Sequence, residues 1–224
     1  MKIVAHRATR AAGAASRTAQ ATPYQRARDA GRAALRDAVL KSAGNLLAAE
    51  GPGALTMRRI AELVGSSTTV LYSVFDGKFG IVDAVVAEGH KALLARLEEI
   101  PDELEAFERL AASGRAYREA GRADPALYQL MFGSTIPGYR QGGTARAAAQ
   151  ASFAALASIV QECIDAGVIE ASADPRFVAE ILIAAAHGAV SLELAGHFDD
   201  PARADERFAV LSAASVQPFL VGAS

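Results

Sequence analysis

One stretch, Thr56 to Phe75 (TMRRIAELVGSSTTVLYSVF), constrains the fold of this chain more than any other. It reads as two short helices meeting at a glycine. Thr56 is an N-cap, its hydroxyl able to accept a backbone N–H that the first helical turn leaves unpaired. Met57, Ile60, Ala61 and Val64 recur at helical spacing, and Gly65 stops the run where a positive φ costs little. Ser66 or Ser67 can cap a second helix that turns Val70, Leu71, Val74 and Phe75 inward. Helices of about two turns do not hold themselves in water, so both must pack on each other and on a third. Ala61 permits close approach, Gly65 makes the bend and Leu71 locks the second helix onto the first. That is helix-turn-helix spacing.

The flanks define the unit further. Ala33 to Glu50 is an amphipathic helix (Leu35, Val39, Ala43, Leu46, Leu47) ended by Gly51-Pro52-Gly53, and Phe75-Asp76-Gly77-Lys78 leads at once into a long helix. In order and spacing, Leu55-Thr56, Ile60-Ala61, Gly65, Ser67, Leu71-Tyr72, Phe75 and Lys78 resemble the TetR family of transcriptional regulators. The resemblance spans roughly residues 33–95. It implies an N-terminal three-helix DNA-binding unit followed by a C-terminal helical domain for ligand binding and dimerisation. The expected division is an arm at 1–32, a DNA-binding domain at 33–77 and a C-terminal domain at 78–224.

Charge divides the chain the same way. Residues 1–80 hold 12 Lys+Arg against 5 Asp+Glu, a net of +7, while residues 81–224 hold 11 against 20, a net of −9. A basic head on an acidic remainder suits a polyanion partner for the head alone. The single cysteine, Cys163, leaves no internal disulfide framework and fits a reducing compartment. Met1 to Arg10 has no apolar core of a secretory signal. The longest nearly apolar run, Ile181 to Leu192, is shorter than the roughly 20 residues a bilayer needs. A cytoplasmic protein with no membrane partner is expected.

Residues 1–31 contain Arg7, Arg10, Arg17, Arg26 and Arg28 with one acid, Asp29, and no sustained apolar period, so much of the segment is expected to be mobile. Two readings stand: a solvated tail, or a basic arm adding phosphate or minor-groove contacts. In the second helix of the motif, Ser67, Thr68, Thr69 and Ser73 share the outer side that would enter a major groove. Short hydroxyl side chains reach base edges but discriminate weakly on their own. The family often has a longer or basic residue where Thr68 stands and Gly or Ala where Thr69 stands. The resemblance makes Tyr72 a phosphate contact through its hydroxyl; the alternative is a tyrosine half-packed under the next helix. Lys78, opening that helix, is expected to hold a phosphate with help from free N–H groups. Thr56 and Arg58 complete the expected DNA-binding set, with one of Arg58 and Arg59 reaching the backbone.

Lys78 to about Glu99 forms one helix of about 33 Å. The resemblance implies that it carries ligand state to the DNA head as a tilt. Gly89 lowers its stiffness, and His90 is read as a surface histidine. Asp102, Asp124, Asp174 and Asp200 sit as N-caps, the last three followed by prolines, which gives helices near 103–121, 125–132, 144–166, 175–196 and 201–217. No strand-like alternation of useful length occurs, so the fold class is all-α. The helices at 144–166 and 175–196 are rich in small residues, which suits a large buried contact. The resemblance implies a homodimer through this pair, setting two heads on a near-palindromic double-stranded operator.

Phe107, Tyr117, Tyr128, Met131, Phe132, Phe153 and His187 form an aromatic and methionine cluster. It is either core or the wall of a small-molecule inducer site, where the family holds its ligand. Tyr128 to Phe132 and His187-Gly188 resemble a branch that carries Trp-His-Gly, with Ala186 where that branch has tryptophan. An Ala there would enlarge a cavity. His187, on an apolar helix, needs a hydrogen-bond partner. An enzyme is the rival class, as is an all-α protein that binds a small molecule without regulating transcription. No phosphate loop, nucleophile elbow or His-Glu-x-x-His motif is present, and Glu193 with His197 lacks a third metal ligand. Cys163 sits on an apolar helix side, where a thiol is inert. The expectation is a ligand-responsive regulator, most simply a repressor, with no catalytic residues, metal or cofactor.

Overall fold

The computed structural model describes residues 21–133 and 135–222. Nine α-helices follow in order among them: α1 Pro23–Glu50, α2 Met57–Leu63, α3 Thr68–Val74, α4 Gly77–Glu98, α5 Ala106–Ala123, α6 Pro125–Phe132, α7 Gly143–Asp165, α8 Pro175–Leu194 and α9 Ala204–Val216. Short 3₁₀ turns follow α1 and flank α9. Extended pairing among the described residues amounts to one bridge, Ile169 with Leu220. The fold is all-α.

α1 begins ten residues before the expected start at Ala33. Thr22 Oγ accepts from Gln25 N at 3.2 Å, the Gln25 side chain accepts from Thr22 N at 2.7 Å, and Pro23 occupies the first turn. This reciprocal cap removes two unpaired donors and starts the helix without any tertiary contact. Residues 23–34 are all exposed; packing starts at Leu35 and Val39. Part of the segment expected to be mobile is therefore a projecting helix. Arg7, Arg10 and Arg17 lie outside the described residues.

The bend between α2 and α3 is built as its residue types require. Thr56 Oγ accepts from Arg59 N, Ser67 Oγ accepts from Val70 N, and Gly65 takes φ 63°. Ile60, Ala61, Leu71 and Phe75 are buried with Val39, Leu47 and Leu55 of the α1 region. Val70 departs from expectation: it is 41% exposed on the outer side of α3. In a helix this short, a residue three positions after the cap faces outward when Leu71 faces in.

The buried cluster of the head does not stop at residue 77. It continues through Ile81, Val82, Val85 and Val86 of α4 to Leu130, Met131, Ile136 and Ala145. Asp83 adds a polar tie, its carboxylate accepting from Gly142 N at 2.5 Å, Ala145 N at 3.2 Å and Tyr139 O–H at 3.1 Å. It thereby satisfies amides that the start of α7 leaves free. Gly89, expected to soften α4, serves close packing instead, since a Cβ there would sit 2.5 Å from Met131 Sδ. His90, expected on the surface, is buried at 3% exposure.

Asp124, Asp174 and Asp200 cap as expected. Asp102 does not: α5 starts at Ala106, and Asp102 pairs with Arg109. α7 packs against α4, α5 and α8, whereas α8 also packs against α9. By length and composition alone α7 and α8 are each long and apolar enough to cross a membrane, a property that the core helices of a bundle share. In this structure both belong to the helical bundle. Most of the large exposed apolar residues of this half fall on α8 (Phe177, Ile181, Leu192) and α9 (Val210, Leu211), with Phe107 on α5 and Val221 after α9, and none on α7. α7 spends its large side chains on the interior.

Candidate functional site

Two regions joined by α4 stand out. The first is the outer side of α2 and α3. Thr69 and Ser73 are exposed there together with Val70, while Thr68 is half-buried. Ser67 and Thr56 are exposed but spend their hydroxyls on caps, and Ser73 Oγ donates to Val70 O at 2.6 Å. Tyr72 is 59% exposed, with its ring 3.5 Å from where a Gly77 Cβ would lie. Gly77 takes φ 66°, so glycine there both makes the turn and leaves room for the ring. Lys78 is half-buried in the first turn of α4, beside amides with no helical partner. Arg58 is held by Glu62 at 3.0 Å and Arg59 by Glu50. Arg36 of α1 stacks over Phe75 with its guanidinium carbon 5.1 Å from the ring centre.

The second region is a cavity of about 680 Å³ between α4, α5, α7, α8 and α9. Leu93, Leu97, Leu110, Phe132, Phe153 and Phe208 make much of its wall. Four of the expected ligand residues line it: Phe107, Tyr117, Phe132 and Phe153. Tyr128 and Met131 border a smaller cavity of about 120 Å³ that Tyr117 and Phe132 share, and His187 lines neither. His187 instead anchors a proton chain. Tyr117 O–H lies 3.1 Å from the Tyr128 oxygen, Tyr128 O–H lies 2.7 Å from His187 Nδ1, and His187 Nε2 lies 3.3 Å from Ser191 Oγ. Burial raises both tyrosines and lowers His187, so the chain is neutral throughout. The partner that His187 needed is protein.

Three polar residues of the wall, His90, Ser152 and Arg118, were not among the expected ligand residues. His90 has Nδ1 3.3 Å from Ser152 Oγ, and its Nε2 is buried without a partner. Burial pushes its pKa down to about 4. A signal was present: Val82, Val86, His90, Leu93 and Leu97 form one i, i+3/i+4 stripe, which makes His90 an inward position. Arg118, 8% exposed, is clamped by Glu193 at 2.7 and 3.0 Å and by Asp205 at 2.7 Å, and stacks over Phe208. Charges so far apart in sequence leave no local pattern. The same clamp occupies Glu193, the carboxylate considered above as a metal ligand. Cys163 donates to Ala106 O at 3.2 Å, and burial pushes its thiol up to about 11, so it is a poor nucleophile.

Comparison with known proteins bears on both regions. A family model described as "Bacterial regulatory proteins, tetR family" matches residues 39–85, and one described as "Tetracyclin repressor-like, C-terminal domain" matches residues 110–214. Together they span well over half of the chain. The chain belongs to the tetR family. It is a transcriptional regulator of that family, with its helix-turn-helix at α2–α3. No curated protein matches it. Among solved structures, a protein of unknown function from Rhodococcus sp. RHA1 is 29% identical with TM-score 0.71, over 83% of this chain and 95% of that one. A transcriptional regulator FadR from Bacillus subtilis, in complex with stearoyl-CoA, shares the fold at 18% identity and TM-score 0.65, over 79% and 97%. The TetR family transcriptional regulator PfmR from Thermus thermophilus does so at 21% and 0.55, over 79% and 94%.

Proposed function

We propose that this tetR regulator is a homodimeric repressor of the cytoplasm that binds a near-palindromic operator and is released by a small molecule seated in the large cavity. The carrying observation is that one helix serves both regions: α4 holds Lys78 in its first turn and His90, Leu93 and Leu97 in the cavity wall. A ligand that shifts the wall acts on the helix that steadies the head. Tyr72 and Lys78 bind phosphate and set the register of α3. Thr68, Thr69 and Val70 face base edges, with Val70 suited to a thymine methyl. Thr56, Ser67 and Ser73 support the helix ends. The dimer forms through α8 and α9, whose apolar residues are uncovered in one chain. The stearoyl-CoA of the Bacillus subtilis regulator supports a long, apolar ligand here as well, and the cavity lies within the usual size range for such sites.

The test is anisotropy of labelled DNA from the region upstream of the protein's own gene, at low and moderate salt. Binding should weaken steeply with salt, and Lys78→Ala should weaken it on all sequences while reducing the salt slope by about 1. An unchanged slope would remove Lys78 from the interface. Thr69→Ala and Val70→Ala should instead change the ranking of operator variants.

A further inference from the structure

The polar atoms of the cavity wall specify more than an apolar guest. Ser152 Oγ lies 3.0 Å from Ala149 O, a pure acceptor, and 3.3 Å from His90 Nδ1. A hydroxyl has one proton. With that proton on Ala149 O, the hydrogen bond to His90 runs from Nδ1–H to the Ser152 oxygen. The imidazole is neutral, so Nε2 is bare. A buried acceptor left without a partner is also better tolerated than a buried N–H. Nε2 is shielded, and the nearest ring is Phe132, which meets the imidazole edge-to-face at 5.4 Å between centres and itself lines the cavity. Of the three arginines on the wall, Arg118 is buried and already taken by Glu193 and Asp205, while Arg115 and Arg122 lie on its exposed side, away from buried His90.

We infer that the cavity selects an elongated, apolar molecule carrying one hydrogen-bond donor, a hydroxyl or N–H, which turns Phe132 aside and donates to His90 Nε2. A carboxylate, ester or ether finds no donor at that point. This rests on the reading of the cavity as the ligand site and names the chemistry of its ligand. It also supplies a mechanical link, because the atom that captures the donor is on α4.

The test uses the full-length protein and two probes with one apolar body, 1-decanol and its methyl ether. Each is titrated against a bound fluorescent dye, 1-anilinonaphthalene-8-sulfonate. Decanol should displace the dye roughly tenfold more effectively, the usual scale for leaving a buried polar atom unpaired. Ser152→Ala frees the imidazole to move its proton to Nε2 and should erase that preference without loss of fold; His90→Phe should erase it too. Nitrogen NMR of the ligand-free protein should show Nε2 bare. Equal displacement by both probes in the wild type, or a proton found on Nε2, overturns the donor assignment and leaves the cavity as ligand site. Failure of the dye and both probes to bind overturns the cavity reading itself, and the inference with it.

Discussion

Lowering the pH should unfold this protein in part through His90. In the folded chain the imidazole stays neutral to about pH 4, whereas an unfolded histidine takes up its proton near 6.5. Between those values the unfolded state binds more protons, so stability falls as pH falls. His90 is almost wholly buried, so solvent screening does not reduce the effect. The loss from this one group is about 1 kcal/mol at pH 6, about 2 kcal/mol at pH 5 and about 3 kcal/mol in the limit below pH 4. Urea unfolding followed by circular dichroism at pH 8, 6 and 5, at fixed protein concentration, measures it. His90→Gln cannot titrate in this range, so its stability should fall about 2 kcal/mol less than wild type between pH 8 and 5. His187, also lowered by burial, contributes equally to both curves and cancels. Parallel curves for the two proteins would refute the assignment of a buried, neutral His90.

Two further outcomes are expected. Gly121→Ala, normally favourable in a helix, should destabilise by about 1–2 kcal/mol, because the new Cβ would lie 2.9 Å from Val190 Cγ1 and 3.0 Å from the Tyr128 ring, which its bond to His187 holds in place; thermal melts read this, and a raised melting temperature would contradict it. Leu192→Arg on the exposed side of α8 should yield a folded monomer by sedimentation, with much weaker operator binding; a dimer of unchanged affinity would move the interface elsewhere.

The head was legible because its instructions are local. A cap, a glycine that must take positive φ and a second cap lie within a dozen residues, and each does in the structure what its side chain can do alone. The Asp-Pro starts of α6 and α8 are legible for the same reason. The front of α1 is hidden although its cap is also local: Thr22 and Gln25 sit in a polar, arginine-rich run, and a helix with no packed face carries no apolar period. Val70 was misplaced because a two-turn helix gives too few residues to fix its inward side. The cavity wall is least legible. Leu93 and Phe107 look like any core residues, and whether such side chains meet or leave 680 Å³ between them depends on how five helices cross. Small residues likewise mark α7 and α8 as close-packing without saying whether the neighbour belongs to the same chain.

Arg118 ties cavity to surface in a way that reaches thermodynamics. It borders the cavity from α5 while gripping Glu193 of α8 and Asp205 of α9, the two helices that carry the uncovered apolar face. If the dimer forms through α8 and α9 as proposed, whatever a ligand does to that grip alters the shape of the subunit contact. Linkage then runs in both directions: the factor by which ligand changes self-association is the factor by which self-association changes ligand affinity. On that proposed dimer, the sensitivity of this regulator to its ligand would be a function of its own concentration, and a cell that makes more of it would retune the dose at which it responds.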